Sequence, residues 1–335
     1  MKKLWSVGLG LILSCPLYVN AESIANTQRF EQYVDDLKQQ AQQEGISQAT
    51  IQAAFANVTY RPRAIVADNN QPEKKLTLDE YIPRAVPDWK VAKAKKLYQE
   101  HYDELVRIGK QYGVQPRYIV ALWGVESNFG SLTGGYNVVD ALATLAYDGR
   151  RERFFRNEMM AALKILEQRH ITPQAMKGSW AGAMGQCQFM PSSFLAFAAD
   201  GNGDGKKDIW GTKADVFAST ANYLSQSGWN EHMIWGRQVH LPHGFDMRLS
   251  GRGKGQGQML HQWSELGVTR YDGSPLPKLK QDIEAWLIAP DDEQGRVYLV
   301  YNNYNVLMKW NRSYYFALAV SHLADRIIMN EPTRK

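Results

Sequence analysis

At 335 residues, 44% hydrophobic and 22% charged, the chain has about two domains' worth of length and enough apolar surface for a large core, which excludes a single small module and wholesale disorder. Its 39 Lys and Arg stand against 34 Asp and Glu, a net charge of +5 with no basic block, which excludes a nucleic-acid partner. The mild positive balance suits work beside an anionic polymer or a membrane surface.

The opening stretch has Lys2 and Lys3, a short apolar run from Leu4 to Leu13 and the small-residue pattern Val19-Asn20-Ala21, which together predict an export signal over residues 1–21. The run is too short to cross about 30 Å of hydrocarbon, and no later segment reaches the roughly 18 apolar residues of a membrane helix. Ile12-Leu13-Ser14-Cys15 is a degenerate lipoprotein-type sequence, so acylation of Cys15 competes with cleavage after Ala21. With that cleavage Cys187 is the only thiol, no intramolecular disulfide is available, and stability must come from the core.

From Ile24 to about Leu105 the pattern is helical and polar-rich, broken by a Pro-bearing stretch from Tyr60 to Pro87 that reads as a surface connection. Between Trp89 and Gln111 the positions Val91, Leu97, Tyr98, Tyr102, Leu105, Val106 and Ile108 predict one long amphipathic helix. Residues 116–230 form a helical block with glycine turns, including a helix marked by Phe154, Phe155, Met159, Leu163 and Leu166. Beyond residue 231 the runs Gln238–Leu241, Glu284–Ile288 and Val297–Tyr301 are of β type, separated by Gly- and Pro-rich segments. Phe316, Val320, Leu323 and Ile327 mark a last amphipathic helix. The class is α+β, mainly α, with a small β-containing insertion.

Within the block, Pro116 suits the first turn of a helix, and Asn128 with Gly130 supplies its stop. On that helix Ile119, Leu122, Trp123 and Glu126 share one face. A carboxylate that continues an apolar stripe loses solvation, and the last turn of a helix offers it the negative end of the dipole. Both raise its pKa, as a general acid requires. The competing reading is a Glu that emerges at the helix end and pairs with an arginine.

The segment Gly178–Ser193 alternates small residues with Trp180, Met184, Gln186, Gln188, Phe189 and Met190. Close backbone approach beside aromatic and amide side chains suits sugars, and a tight interhelical turn is the alternative. Asp200, Asn202 and Asp204 fall at positions 1, 3 and 5 of an EF-hand-type loop, with Gly205 at 6 and the Lys206 carbonyl at 7, yet position 12 is Gly211 rather than an acid. Other chemistry is thin. His240 and His243, the one close histidine pair, flank Pro242; Cys187 has no histidine nearby; Asp140, Asp148 and Glu152 read as helix caps or partners of Arg150 and Arg151.

GVESNFG around Glu126, AGAMGxxQFMPSSF over Ala181–Phe194, DALATLAYD over Asp140–Asp148, and Asn222-Tyr223-Leu224 ahead of Gly228-Trp229 together resemble the lytic murein transglycosylase B family, over roughly residues 75–330. The resemblance implies a lysozyme-like helical core with a further helical domain and a small inserted β domain. The expected divisions are 22–105, a catalytic core 106–230 with the calcium-type loop at 200–215, an insertion 231–300, and a return to the core at 301–335. It implies cleavage of the MurNAc–GlcNAc β-1,4 bond of peptidoglycan without water and without a cofactor. Glu126 would act first as acid and then as base, leaving a 1,6-anhydro ring. A hydrolase using water and a non-catalytic wall-binding protein are the rivals.

Carried over by position, Ser179, Gln188, Met190 and Tyr223 would line the sugar groove, and so would Tyr81. Trp310-Asn311 stands where the family has Tyr-Asn, with Asn311 bonding at the active centre, and Phe316 stands where a tyrosine is expected. Asp215 would close the loop of Asp200, Asn202, Asp204 and Lys206 around a structural Ca²⁺ or Na⁺. The implied setting is a periplasmic monomer acting on peptidoglycan strands, with peripheral outer-membrane association or a lipid on Cys15.

Overall fold

The computed structural model describes residues 18–70, 76–292 and 295–329; Cys15 and most of the export signal lie outside them. Helices α1 (Tyr18–Gln43), α2 (Gln48–Phe55) and α3 (Pro62–Asn69) open the chain, and α4 (Leu78–Ala85), α5 (Asp88–Glu100), α6 (Tyr102–Tyr112) and α7 (Pro116–Ser127) follow. A two-residue strand β1 (Tyr136–Asn137) precedes α8 (Val138–Asp148) and α9 (Glu152–Glu167), and pairs antiparallel with β2 (Lys177–Gly178). Then come α10 (Pro191–Phe197) and α11 (Lys213–Gln226). The insertion comprises β3 (Gly236–His240), β4 (Gln258–Met259), α12 (Leu260–Glu265), β5 (Thr269–Arg270), β6 (Glu284–Ile288) and β7 (Val297–Val300), after which α13 (Asn302–Trp310) and α14 (Tyr314–Ile328) close the chain. The class is α+β and mainly α, as the patterning predicts. No helix of the described residues is long and apolar enough to cross a membrane.

Helix α7 is the centre of the packing. Pro116 occupies its first turn, where a missing N–H costs nothing, and Tyr118 to Gly124 are all buried. A helix apolar on every side must be surrounded, and α5, α6, α11 and α14 do this. One apolar cluster runs from Phe30 to Ile327, and a second, around Trp263, fills the insertion.

The five-stranded antiparallel sheet has the order β4-β6-β7-β3-β5. Its central strand β7 reads apolar without alternation because it feeds both cores. Tyr298 and Val300 face the main cluster, whereas Val297 and Leu299 face the smaller one. The three β runs read from the sequence are β3, β6 and β7.

Three expectations need correction. The single helix expected over Trp89–Gln111 is two, broken at His101 (φ −108°, ψ 18°). Periodicity continues through the break; both helices pack on α7, but α5 adds α14 and α6 adds α11, so the chain turns between those two. The connection expected over Tyr60–Pro87 contains α3 and α4. Pro62 starts the first, and a capping box of Thr77 with Glu80 starts the second, satisfying two orphan amides reciprocally. Arg150 and Arg151 do not serve Asp140 or Glu152. Both bind Asp68, which is 3% exposed and needs the paired charge. Asp140 pairs instead with Arg61 at 2.6 Å, and Glu152 with Arg156 at 3.1 Å.

Candidate active site

Glu126 sits in the last turn of α7. Asn128 then turns left-handed (φ 49°) and its N–H donates to the Trp123 carbonyl, so the chain folds back sharply. The turn requires Gly124: a Cβ there would stand 2.7 Å from the Phe129 ring. Glu126 itself is partly buried. Burial pushes its carboxyl up to about 7, against a weaker downward pull from the Trp310 indole, which donates to Oε1 at 2.5 Å. No arginine pairs with it among the described residues. Such a group exchanges its proton near neutral pH, as general acid–base work requires.

The loop after β2 is fastened to the end of α7 by buried hydrogen bonds. Ser127 Oγ donates to the Gln186 carbonyl at 2.8 Å. Gln186 Oε1 accepts from Trp123 Nε1 at 2.7 Å, and its Nε2 donates to the Trp210 carbonyl at 2.8 Å. Gly130 makes this possible, because a Cβ there would lie 2.3 Å from Gln186 Oε1. Gln186 therefore serves as a strut, and the sequence offered it only as one of several amides. Ser179 Oγ accepts from the amides of Ala181 and Ala183 at 3.2 and 3.1 Å, which shapes the turn. Gln188 is left-handed (φ 50°), and its Nε2 donates to the Gly185 carbonyl at 2.8 Å and to that of Thr133 at 3.2 Å. Met190 directly precedes α10 and makes no side-chain capping bond; its side chain is partly buried against the core. Cys187 is buried, and its thiol is pushed up to about 12, which leaves it inert.

Aromatic rings adjoin the carboxyl. The Trp310 ring lies 4.6 Å from Tyr223 and 5.2 Å from Phe189, and Tyr223 lies 4.5 Å from Phe197, centroid to centroid. The phenol of Tyr81, from α4, is pushed up by burial and, to a lesser degree, by the negative charge of Glu126. Tyr81 meets Tyr315 edge-on at 5.3 Å, and the Tyr315 hydroxyl donates to Asp291 in the β6–β7 connection. Asp291 also accepts from the Leu78 amide at 2.6 Å. Asp291 and Tyr315 escaped the sequence reading. The only trace was the Tyr314-Tyr315-Phe316 run, in which Phe316 is buried core. Asn311 is exposed, one residue beyond the indole, and its backbone N–H closes α13 on Leu307.

In the acidic loop Asp200 accepts from the amides of Gly203 and Gly205 at 2.6 and 2.7 Å, and Asp204 from that of Lys206 at 2.8 Å. Asn202 Oδ1 accepts from the Asp204 amide at 3.1 Å. Asp215, from α11, is fully buried and accepts from the amides of Gly201 and Asp208 at 2.8 and 2.6 Å. Its carboxyl is raised by burial, and further by the charges of Asp200 and Asp204. These oxygens are hard donors of the kind Ca²⁺ or Na⁺ takes, although no three acidic groups converge on one point among the described residues, and Arg107 donates to the Gly201 carbonyl at 2.9 Å.

The profile of the transglycosylase SLT domain matches residues 29–325. Membrane-bound lytic murein transglycosylase B of Escherichia coli (strain K12) is 32% identical over 239 residues, 69% of this chain and 62% of that protein, so the match spans less than two thirds of the relative. SltB3 of Pseudomonas aeruginosa, solved with NAG-anhNAM-pentapeptide and with NAG-NAM-pentapeptide, superimposes with a TM-score of 0.86 at 41% identity, over 89% of this chain and 79% of that one. The lytic transglycosylase Slt35 of Escherichia coli, solved with calcium, gives a TM-score of 0.71 at 26% identity, over 89% and 92% of the two chains. By the extent of the profile match, the chain belongs to the transglycosylase SLT domain family.

Proposed function

We propose that the protein is a peptidoglycan lytic transglycosylase that cuts the MurNAc–GlcNAc β-1,4 bond without water. Glu126, protonated, gives its proton to the leaving glycosidic oxygen as that bond breaks. Charge at the anomeric carbon is met by the substrate's own N-acetyl group, so a second carboxylate is not needed, unlike the common two-carboxylate scheme. The ionised Glu126 then takes the proton of the C6 hydroxyl of the same MurNAc, whose oxygen closes on the anomeric carbon to give 1,6-anhydroMurNAc. The observation that carries this reading is the Glu126 carboxyl itself, raised to about 7 by burial and held by one neutral donor.

Tyr223, Trp310 and Tyr81 offer ring faces to sugars, Asn311 stands at the rim, and Ser179, Gln188 and Met190 shape the wall of the groove. Asp200, Asn202, Asp204, the Lys206 carbonyl and Asp215 would hold a structural Ca²⁺ with no part in the chemistry. A periplasmic setting, by export or through a lipid on Cys15, fits a wall substrate, and the chain divides at 22–105, 106–230, 231–300 and 301–335. Mass analysis of soluble products from purified peptidoglycan tests the reading. Anhydro-ended fragments that vanish in Glu126→Gln support it. Reducing ends would mean a hydrolase, and no release a binder.

A further inference from the structure

A cavity of about 470 Å³ lies where the segment 230–234 meets the insertion. It is far from the catalytic carboxyl. Gln115, just before α7, donates to the Met233 carbonyl at 3.1 Å, and Glu126 stands about 16 Å of helix rise further along. Asn303 pins the same segment, its Nδ2 donating to the carbonyls of Asn230 and Met233 at 2.8 and 2.7 Å. One wall of the cavity is therefore formed before any ligand arrives.

The lining divides by chemistry. Met233, Ile234, Leu260, Leu279 and Ile283 make its apolar part, and Ile234 and Leu279 remain 39% and 44% exposed, open to a ligand rather than sealed in the core. Arg237 and Lys280 supply charge. Arg237, on β3, is partly buried; its Nε donates to the Tyr301 hydroxyl at 2.8 Å, and it pairs with no carboxylate among the described residues. Lys280 is exposed and has no carboxylate partner among them either. His232, also in the lining, lies 3.7 Å from the carboxylate of Glu231. The one acid of the lining, Asp282, is taken by the His261 ring.

These features select a ligand class. With Nε spent on Tyr301, the Nη groups of Arg237 are left for the oxygens of a carboxylate or phosphate. Tyr301 is itself only 1% exposed, so it offers no face on which a base or other flat ring could stack. The remaining wall is aliphatic, and the volume falls within the roughly 300–1,000 Å³ of small-molecule sites. We propose that this cavity binds an amphiphilic anion, a carboxylate or phosphate head on an aliphatic chain. Arg237 and Lys280 hold the head, and Ile234, Leu279 and Ile283 cover the chain. The site is separate from the sugar groove and does not depend on the peptidoglycan reading.

The test titrates the full chain with decanoate, decyl phosphate and decanol, each below its micellar concentration, by calorimetry. Saturable one-to-one binding of either acid is expected, about tenfold tighter than that of decanol. Shortening decanoate should weaken it about threefold to fourfold per methylene removed. Arg237→Gln is expected to weaken the acids about tenfold and Lys280→Gln about threefold, both leaving decanol unchanged, whereas Leu279→Ser should weaken acids and alcohol alike. Lys280 and Leu279 are exposed, so these two variants should unfold at the temperature of the parent and keep the test valid should Arg237→Gln disturb Tyr301. Binding of neither acid, equal affinity for acid and alcohol, or affinities untouched by Lys280→Gln and Leu279→Ser would overturn the proposal. A leucine-ended peptide that binds more tightly than both acids would make the occupant a protein tail and overturn it as well.

Discussion

Trp310 donates its indole N–H to Glu126 Oε1 at 2.5 Å, joining the last turn of α13 to the last turn of α7. The contact favours the ionised carboxylate while burial favours the neutral acid, and burial wins. Removing the donor must therefore raise the pKa further. In Trp310→Phe, which keeps an aromatic ring near Tyr223 and Phe189, the alkaline limb of kcat/KM is expected to move to higher pH. A pH–rate profile checks this, and a limb that stays put or moves down contradicts it.

The same burial makes Glu126 a liability at alkaline pH. Its folded pKa of about 7 lies above the ordinary 4.5, so the folded chain holds the proton more tightly than the unfolded one. The stabilising share is complete below about pH 4.5 and is lost as pH rises through about 7. At roughly 1.4 kcal/mol per unit, Glu126→Gln should be more stable than the parent by up to about 3 kcal/mol near pH 9 and equal to it near pH 4. Denaturant unfolding at the two pH values measures the difference, and a gap independent of pH would refute the assignment.

What could be read from the sequence was local. Pro116 and Asn128 bracket α7 because first-turn proline and left-handed asparagine are signals that the helix itself carries. Glu126 could be placed on its apolar side by spacing alone. The break at His101 could not, since the apolar period runs through it and only the change of packing partner bends the chain. Likewise Gln186 and Gln188 look alike in the sequence. Three hydrogen bonds to the α7 end and to Trp210 make the first a strut, and this depends on contacts as much as 63 residues apart. Trp310 was legible as an aromatic wall, but its role as a donor to Glu126 appears only when α13 closes on α7.

Asp291 ties the β6–β7 connection to α4 and α14. It accepts from the Leu78 amide at the start of α4 and from the Tyr315 hydroxyl, and Tyr315 packs edge-on against Tyr81. Replacing it with Ala leaves two donors unmatched, a cost of about 1–3 kcal/mol. Asp291→Ala is expected to unfold earlier and to lose kcat more than it gains KM, because Tyr81 loses its backing while the Trp310 wall stays. Asp291→Asn, which keeps an acceptor, should recover most of the stability. Thermal unfolding and steady-state kinetics on the three proteins decide it, and full activity in Asp291→Ala contradicts the link.

The cation site proposed for the acidic loop turns on Asp215. Buried without a basic partner, its carboxyl is raised by desolvation and then by Asp200 and Asp204, so the folded chain carries a repulsion that a bound cation would remove. Gly211 at the twelfth position withholds the bidentate acid of an ordinary loop, so the proposed site would have low affinity and its test needs saturating Ca²⁺. At a hundredfold excess over Kd the gain is about 2.7 kcal/mol, a rise of several degrees in melting temperature for a chain of this size. The gain should fade as pH drops and Asp215 takes up a proton, and it should be lost in Asp204→Asn. Product formation at a temperature where both forms are folded should not change with chelator, because the proposal gives the loop a structural role alone. A Ca²⁺ effect that persists in Asp204→Asn, or one that Mg²⁺ reproduces fully, would remove the loop as its source.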